Sequence, residues 1–367
     1  MSQYMKNLKS GNSADRYSAD QISCICDAMK KYRQKLAPFL PCGASAYPGQ
    51  DMEPGTCQLY RLATLVERLD QVGSSERILR HELRAAQSRG PTRKLARAPR
   101  TQALRRLRTD FPHFLSVIDL IDQRASLAQV TPGLVFNLPP VLLSGSPGIG
   151  KTAFAEALAE SLLQPIQRLD IAASTAGFAL AGSHESWSGA KHGVVWSLLQ
   201  SDSASGVLML EEIDKAAASN FPVLGALYAL LEPASAKHFR DENIGIDIDA
   251  SHLMIVATCN NAQQLEPALK SRFREFNIPL PTRTETKAIA QSIYRTIRGS
   301  QAWALAFPSA LPDDVLERLC DRTPRELYRA IEDAHAHAAA QGRLHLTLED
   351  VFLGESGHVS TRRVGFI

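Results

Sequence analysis

The segment GSPGIGKT, Gly145 to Thr152, limits the fold of this 367-residue chain more than any other stretch. It fits G-x-x-x-x-G-K-[ST], with the apolar run PPVLLSG leading into it and TAFAEALAESLL following it. That second run places Phe154, Leu158 and Leu162 on one helical face. A strand, a glycine turn and a helix form the unit in which such a loop holds phosphate. The glycines let successive backbone N–H groups point inward, a lysine reaches the outer phosphate oxygens, and a hydroxyl ligates a metal. Gly145, Ser146, Pro147, Gly148, Ile149, Gly150, Lys151, Thr152 and Ala153 are therefore the expected nucleotide-phosphate residues, with Lys151 as the cation and Thr152 as a metal ligand.

The surrounding chain has a texture that suits this unit. IQRLDIA, GVLML and LMIVATC are short apolar runs, and helix-like FPVLGALYALLE lies between the last two. Buried strands alternating with helices argue for a parallel α/β sheet. After Pro281 strands nearly vanish, and RTETKAIAQSIYRTIR, PDDVLERLC and PRELYRAIEDAHAHAAAQ carry helical spacing. Upstream, QISCICDAMKKYRQKLAPFL and TCQLYRLATLVERLDQV also read as amphipathic helices, the latter through Leu59, Leu62, Leu65 and Leu69. The expected organisation is a mostly helical N-terminal region with a basic linker (1–108), an α/β nucleotide-binding domain (109–281), a small helical lid (282–355) and a tail (356–367).

Charge and cysteines narrow the function. A formal net charge of +3 implies neither nucleic acid nor an acidic membrane by itself. No apolar run approaches the roughly 20 residues of a membrane span, and the start of the chain has no hydrophobic signal core, so a cytoplasmic location is expected. SRGPTRKLARAPRTQALRRLR, from Ser88, holds seven arginines and one lysine with no acid. Its readings are a solvated linker or a surface for nucleic acid or another acidic partner. Cys24, Cys26, Cys42 and Cys57 lack paired C-x-x-C spacing; with Cys259 and Cys320 they read as reduced structural thiols rather than a zinc site.

A phosphate cradle needs a held metal and an oriented water before it can hydrolyse anything. GVLMLEEIDKA, residues 206–216, runs four apolar residues into two adjacent acids. Two solvated acids at a strand end would be the plain explanation. In a chain that already has a phosphate loop, Glu211 is instead expected to anchor the metal through water and Glu212 to polarise the attacking water.

The ordered set GSPGIGKT, LMLEEIDKA, LYALLEP, IVATCNN and LKSRF resembles the AAA+ ATPases, most closely the ATPase module of the Lon proteases, over roughly residues 109–355. The resemblance implies ATP as substrate, Mg2+ as metal, a homohexameric ring and protein clients. It implies a γ-phosphate sensor at Asn260, an arginine finger acting on the neighbouring subunit at Arg272, and a second sensor arginine at Arg325. AGSHESWSGAKHG is similar to the first pore loop of Lon, which makes Trp187 a client-gripping aromatic; the stretch ending FRDENIGIDIDASH resembles the second and would aim Phe239 at the same channel. The chain departs from the family in having Glu211 where Lon has aspartate. The sequence after the lid is also too short for a protease domain, so a motor served by a separate peptidase or effector is expected. The terminal RRVGFI faintly resembles a peptidase-docking tripeptide. Rival expectations are a nucleic-acid-associated AAA+ protein using the basic run, and a low-turnover nucleotide switch suggested by Glu211.

Overall fold

The computed structural model describes residues 53–351, apart from 54, 75, 131–133, 174–175, 185–186, 188 and 219–222. The chain divides into two units, 1–52 and 53–367. The helix expected over QISCICDAMKKYRQKLAPFL, together with Cys24, Cys26, Cys42 and the RRVGFI tail, lies outside the described residues.

The second unit opens with strand β1 (Thr56–Gln58), helices α1 (Leu62–Gln71) and α2 (Arg77–Arg89), and strand β2 (Thr92–Lys94), which pairs antiparallel with β1. Helices α3 (Thr101–Asp110) and α4 (Leu115–Gln129) follow. The main sheet is built from β3 (Val141–Ser144), β4 (Ile166–Asp170), β5 (Val207–Glu211), β8 (Met254–Cys259) and β9 (Arg274–Asn277). All are parallel, in the order β4-β5-β8-β3-β9. Between β5 and β8 lie helix α8 (Leu224–Leu231), preceded in the chain by α5 (Lys151–Leu162), α6 (Ala176–Ala181) and α7 (Val194–Leu199), and a hairpin of β6 (Phe239–Arg240) and β7 (Asp247–Ile248).

Alternation along the strands explains why both faces of the sheet must be covered. Leu142, Leu208, Leu210, Ile255 and Ala257 enter one apolar core, while Val141, Leu143, Val207, Met209, Met254 and Val256 enter the other. Successive side chains of a strand point to opposite faces, so the three central strands β3, β5 and β8, apolar along most of their length, leave no face for water. The first core is completed by Leu65, Leu79 and Leu83 of α1 and α2, the second by Leu104, Phe114 and Ile118 and by Phe154 of α5. The boundary expected after residue 108 therefore does not coincide with a break in packing, since Leu104 and Leu107 share a core with Phe114 and Val117.

The basic run is likewise not an extended linker, because it supplies the end of α2, all of β2 and most of α3. Arg93 is buried, donating from Nε to the Leu199 carbonyl at 3.1 Å and from Nη1 to the Gly90 carbonyl at 2.7 Å. Arg108 is paired to Asp119 at 2.7 Å and Asp122 at 3.3 Å. Arg89, Lys94, Arg97, Arg100, Arg105 and Arg106 remain on the surface.

Downstream of the sheet come α9 (Arg283–Ser300), α10 (Asp313–Leu319) and α11 (Pro324–Ala340). They close around their own core of Ile289, Tyr294, Leu319, Leu327 and Ile331. Threonine caps start two of them: Thr282 with Glu285, and Thr323 with Glu326, each satisfy the exposed N–H groups of a first turn. The second of these caps fixes where Arg325 leaves the helix. Among the described residues no helix is long and apolar enough to cross a membrane.

Phe239 corrects one expectation. It is 2% exposed, lies opposite Ile248 in the β6–β7 pairing, and packs in the first core with Ile244 and Ile246. Bringing a benzyl group out of that core into an aqueous channel would forfeit about 1.5–3 kcal/mol of burial.

Candidate nucleotide site

The loop after β3 wraps a cavity of about 690 Å³ that is walled by Pro147–Ala153 on one side and by lid residues on the other. Gly150 has φ +98°, a conformation only glycine adopts without strain, and a Cβ built on it would meet nothing within 4 Å. The space in front of the loop is therefore open where phosphate would lie. Gly145 faces inward instead, with a built Cβ only 2.8 Å from the Ile278 carbonyl, so it serves close packing. Gly145 and Ser146 do not line the cavity; their carbonyls accept from Lys151 Nζ at 2.6 and 3.1 Å.

Strand order explains how the remaining groups converge. Strand β8 lies between β3 and β5, so Asn260, just past the end of β8, sits between the phosphate loop and the acids that end β5. Lys151 Nζ donates to Asn260 Oδ1 at 3.2 Å. Partial burial, the largest cause, pulls the Lys151 ammonium below the ordinary lysine pKa, and the acids around it oppose that shift. Asp214, two residues after Glu212, is buried and accepts the backbone N–H groups of Asn260 and Asn261, both at 3.2 Å. It thereby fixes the turn that presents Asn260.

Glu211 and Glu212 part company at the strand end. Glu212 is exposed in the cavity wall at φ +54°, a left-handed backbone that costs a non-glycine residue roughly 1–2 kcal/mol. Its N–H points to Thr258 Oγ1 at 3.4 Å. Glu211 is half-buried, and its Oε1 accepts from Thr152 Oγ1 at 2.9 Å. A hydroxyl and a carboxylate in contact are hard oxygen donors of the kind Mg2+ takes, and with the open space over Gly150 they fit the ion that accompanies a nucleotide.

The sequence reading missed a third partner here. Arg168 forks onto Glu211, with Nε and Nη2 donating to Oε2 at 3.2 and 3.0 Å, and Nη1 reaches Glu156 at 3.0 Å. Asp170 pairs with Glu211 in the β4–β5 register, so Arg168 is the diagonal neighbour on the same face. Diagonal positions lie about 7–8 Å apart, a gap that long side chains bridge. The longer side chain at 211 brings its carboxylate one methylene closer to that arginine than aspartate would.

The cavity's other wall, apart from Arg325, was also unforeseen. Phe111 and His113 enter it from the chain before α4, with the His113 Nε2–H donating to the Ile149 carbonyl at 2.8 Å, and Ile289, Ile293 and Tyr328 enter from the lid. Burial, partly offset by that hydrogen bond, holds the His113 pKa below its usual value and favours the neutral ring. Arg325 lies in the wall as well; its N–H donates to the Gly148 carbonyl at 3.2 Å, joining lid to loop.

Two expected residues stand away from the cavity. Arg272 sits over the Tyr228 ring, 4.8 Å from its centroid, with Nη1 donating to the Ala268 carbonyl at 2.6 Å. Trp187 is 53% exposed on the loop between α6 and α7, its ring 5.0 Å from that of Phe178.

A parallel sheet with a glycine phosphate loop after one strand, acids ending a second and a polar residue ending the strand between them defines a P-loop nucleotide-binding domain. Residues 141–280 match the family model for the ATPase family associated with various cellular activities (AAA). The chain thus carries an AAA+ ATPase domain, homologous to the ATPase modules of Lon proteases. It is 29% identical over 180 residues to Lon protease 2 of Thermus thermophilus, covering 48% of this chain and 22% of that protein. It is 35% identical over 131 residues to the peroxisomal Lon protease homolog 2 of Caenorhabditis briggsae, covering 35% and 17%. The chain thus spans about a fifth of the length of these relatives. In fold it is similar to S. cerevisiae Hsp104 in its casein complex, with a TM-score of 0.53 and 16% identity over 66% of this chain and 48% of that one.

Proposed function

We propose that this domain hydrolyses ATP to drive a ring of identical subunits that remodels or threads protein chains, with residues 1–108 selecting clients. Within the pocket, Thr152 and Glu211 would hold Mg2+, which supplies charge neutralisation to the phosphates when bound. Lys151 and Arg325 supply protein cations to the same phosphates. Asn260, held by Asp214, orients the attacking water, and Glu212 accepts its proton. Arg272 lies outside its own subunit's cavity, which supports action on a neighbour's nucleotide.

The observation that carries the motor reading is Trp187. A large apolar ring that stays 53% exposed on a loop away from the nucleotide, while Trp196 nearby is fully buried, suits a grip on passing polypeptide. A flat aromatic holds any sequence through contact area. Trp187→Ala is expected to leave client-free ATP turnover within about a few-fold while stopping the unfolding of a green fluorescent protein that carries an unstructured tail. Loss of folding or assembly in that variant would instead make Trp187 a packing residue.

The ring has its own test. Arg272→Ala is expected to bind ATP and hydrolyse it at least roughly a hundredfold more slowly, the scale on which arginine fingers act. Mixed with Glu212→Gln subunits it should regain turnover, because some interfaces then pair an intact Glu212 with an intact Arg272. Absence of rescue in subunits shown to exchange would mean that Arg272 does not act in trans.

A further inference from the structure

Asp241 is fully buried, yet it belongs to none of the nucleotide machinery. Its carboxylate accepts three backbone N–H groups. Oδ1 takes those of Asn243 and Ile244, both at 3.0 Å, and so closes the turn between β6 and β7. Oδ2 takes the Gly193 N–H at 2.7 Å, across to the far end of the loop that carries Trp187. Burial raises the Asp241 pKa and these three donors oppose the rise.

The near end of that loop meets the same carboxylate. A Cβ built on Gly182, whose φ is +80°, would lie 2.6 Å from Asp241 Oδ1. A Cβ on Gly193 would lie 2.3 Å from the Leu180 carbonyl and 2.6 Å from the Gly182 nitrogen. The two glycines thus bring the loop's ends into backbone contact and bring Asp241 against both. Just beyond them the Ser183 N–H donates to the Lys191 carbonyl at 3.0 Å, and the Glu242 N–H donates to the Ala181 carbonyl at 2.8 Å. A turn cap alone would be served by an uncharged asparagine; a fully buried carboxylate is costly and is kept where both of its oxygens are hydrogen-bonded.

We propose that Asp241 is a positioning residue for the Trp187 loop, clamping both of its ends to the β6–β7 hairpin so that hairpin and loop move as one body. The hairpin follows α8 and leads directly into β8, the strand that ends at Asn260, so the clamp ties the Trp187 loop to the strand that presents the sensor. The functional consequence rests on Trp187 being the client grip; the clamp itself does not.

Asp241→Asn tests it with little change of shape. The amide oxygen can keep the two N–H groups of the turn, which leaves the amide NH2 facing the Gly193 N–H, donor against donor. Backbone amides of 182–193 are expected to exchange about tenfold faster or more, as loss of a hydrogen bond to a charged acceptor allows, with those of β5 and β8 unchanged. Client-free ATP turnover should stay within about twofold, while unfolding of the tailed fluorescent protein falls about tenfold. Unchanged exchange at 182–193 overturns the clamp, and so does a fall in ATP turnover parallel to the fall in unfolding. Trp187→Ala separates the two readings. If it stops unfolding and Asp241→Asn does not, the grip stands and the clamp's role in client handling is overturned; if it unfolds clients normally, the grip is wrong and the exchange measurement alone judges the clamp.

Discussion

Lys151→Ala is expected to abolish ATP binding at any concentration a titration with fluorescent nucleotide conveniently reaches. Among the described residues the cavity wall contains Asp110, Glu156, Asp170, Glu211 and Glu212 against Lys151 and Arg325 as cations, and Arg325 belongs to the lid. Removing Lys151 leaves an already acidic wall with Arg325 as its remaining cation among the described residues. Its ammonium already bridges the Gly145 and Ser146 carbonyls and Asn260, so it is held where the phosphates would meet it. Hydrogen bonds to charged groups contribute about 1.5–3 kcal/mol each, and losing two weakens binding by two orders of magnitude or more. The phosphate loop's own backbone and the fold should survive, which circular dichroism would check. Affinity retained within a few-fold of the unmodified protein would mean that GSPGIGKT is not the phosphate site.

What the sequence disclosed depended on how local each signal is. The phosphate loop, the two acids at the end of β5 and Asn260 after β8 are each read from a strand and the residues that follow it, and the sheet brings them together. Arg168 was invisible because its partner lies 43 residues away, and only the knowledge that β4 neighbours β5 makes the pair. Phe111, His113 and the lid residues Ile289, Ile293 and Tyr328 belong to the same class, since no spacing along the chain relates them to the loop. The errors have different causes. Phe239 sits in a stretch whose resemblance to a second pore loop implies exposure, but a two-residue strand with one apolar face is enough to bury it. In the basic run, charge by itself reads as solvation. Arginine's long stem and forked head let Arg93 lie under the surface with backbone carbonyls as partners, an arrangement that composition does not reveal.

Glu212→Gln is expected to bind ATP with little loss and to hydrolyse it at least about a hundredfold more slowly, because an amide cannot accept the proton of the attacking water and general base catalysis contributes about 10²–10⁴. Added Mg2+ should not restore it. Glu211 should behave otherwise, since its carboxylate touches Thr152 and Arg168 rather than standing free in the cavity. Glu211→Gln removes the charge beside Thr152, so turnover should shift to higher Mg2+ concentration and recover there, and Mn2+ binding followed by electron paramagnetic resonance should weaken in parallel. Glu211→Asp keeps that charge and gives up only the reach to Arg168, where a half-exposed arginine pair contributes about 1 kcal/mol at most, so turnover should stay within about a few-fold. The backbone argues for the same division. Glu212 is held at φ +54° against its conformational preference, strain that turns the chain out of the strand that ends at Glu211. Equal losses in Glu211→Gln and Glu212→Gln, with neither recovering in Mg2+, would show that the two carboxylates share one task.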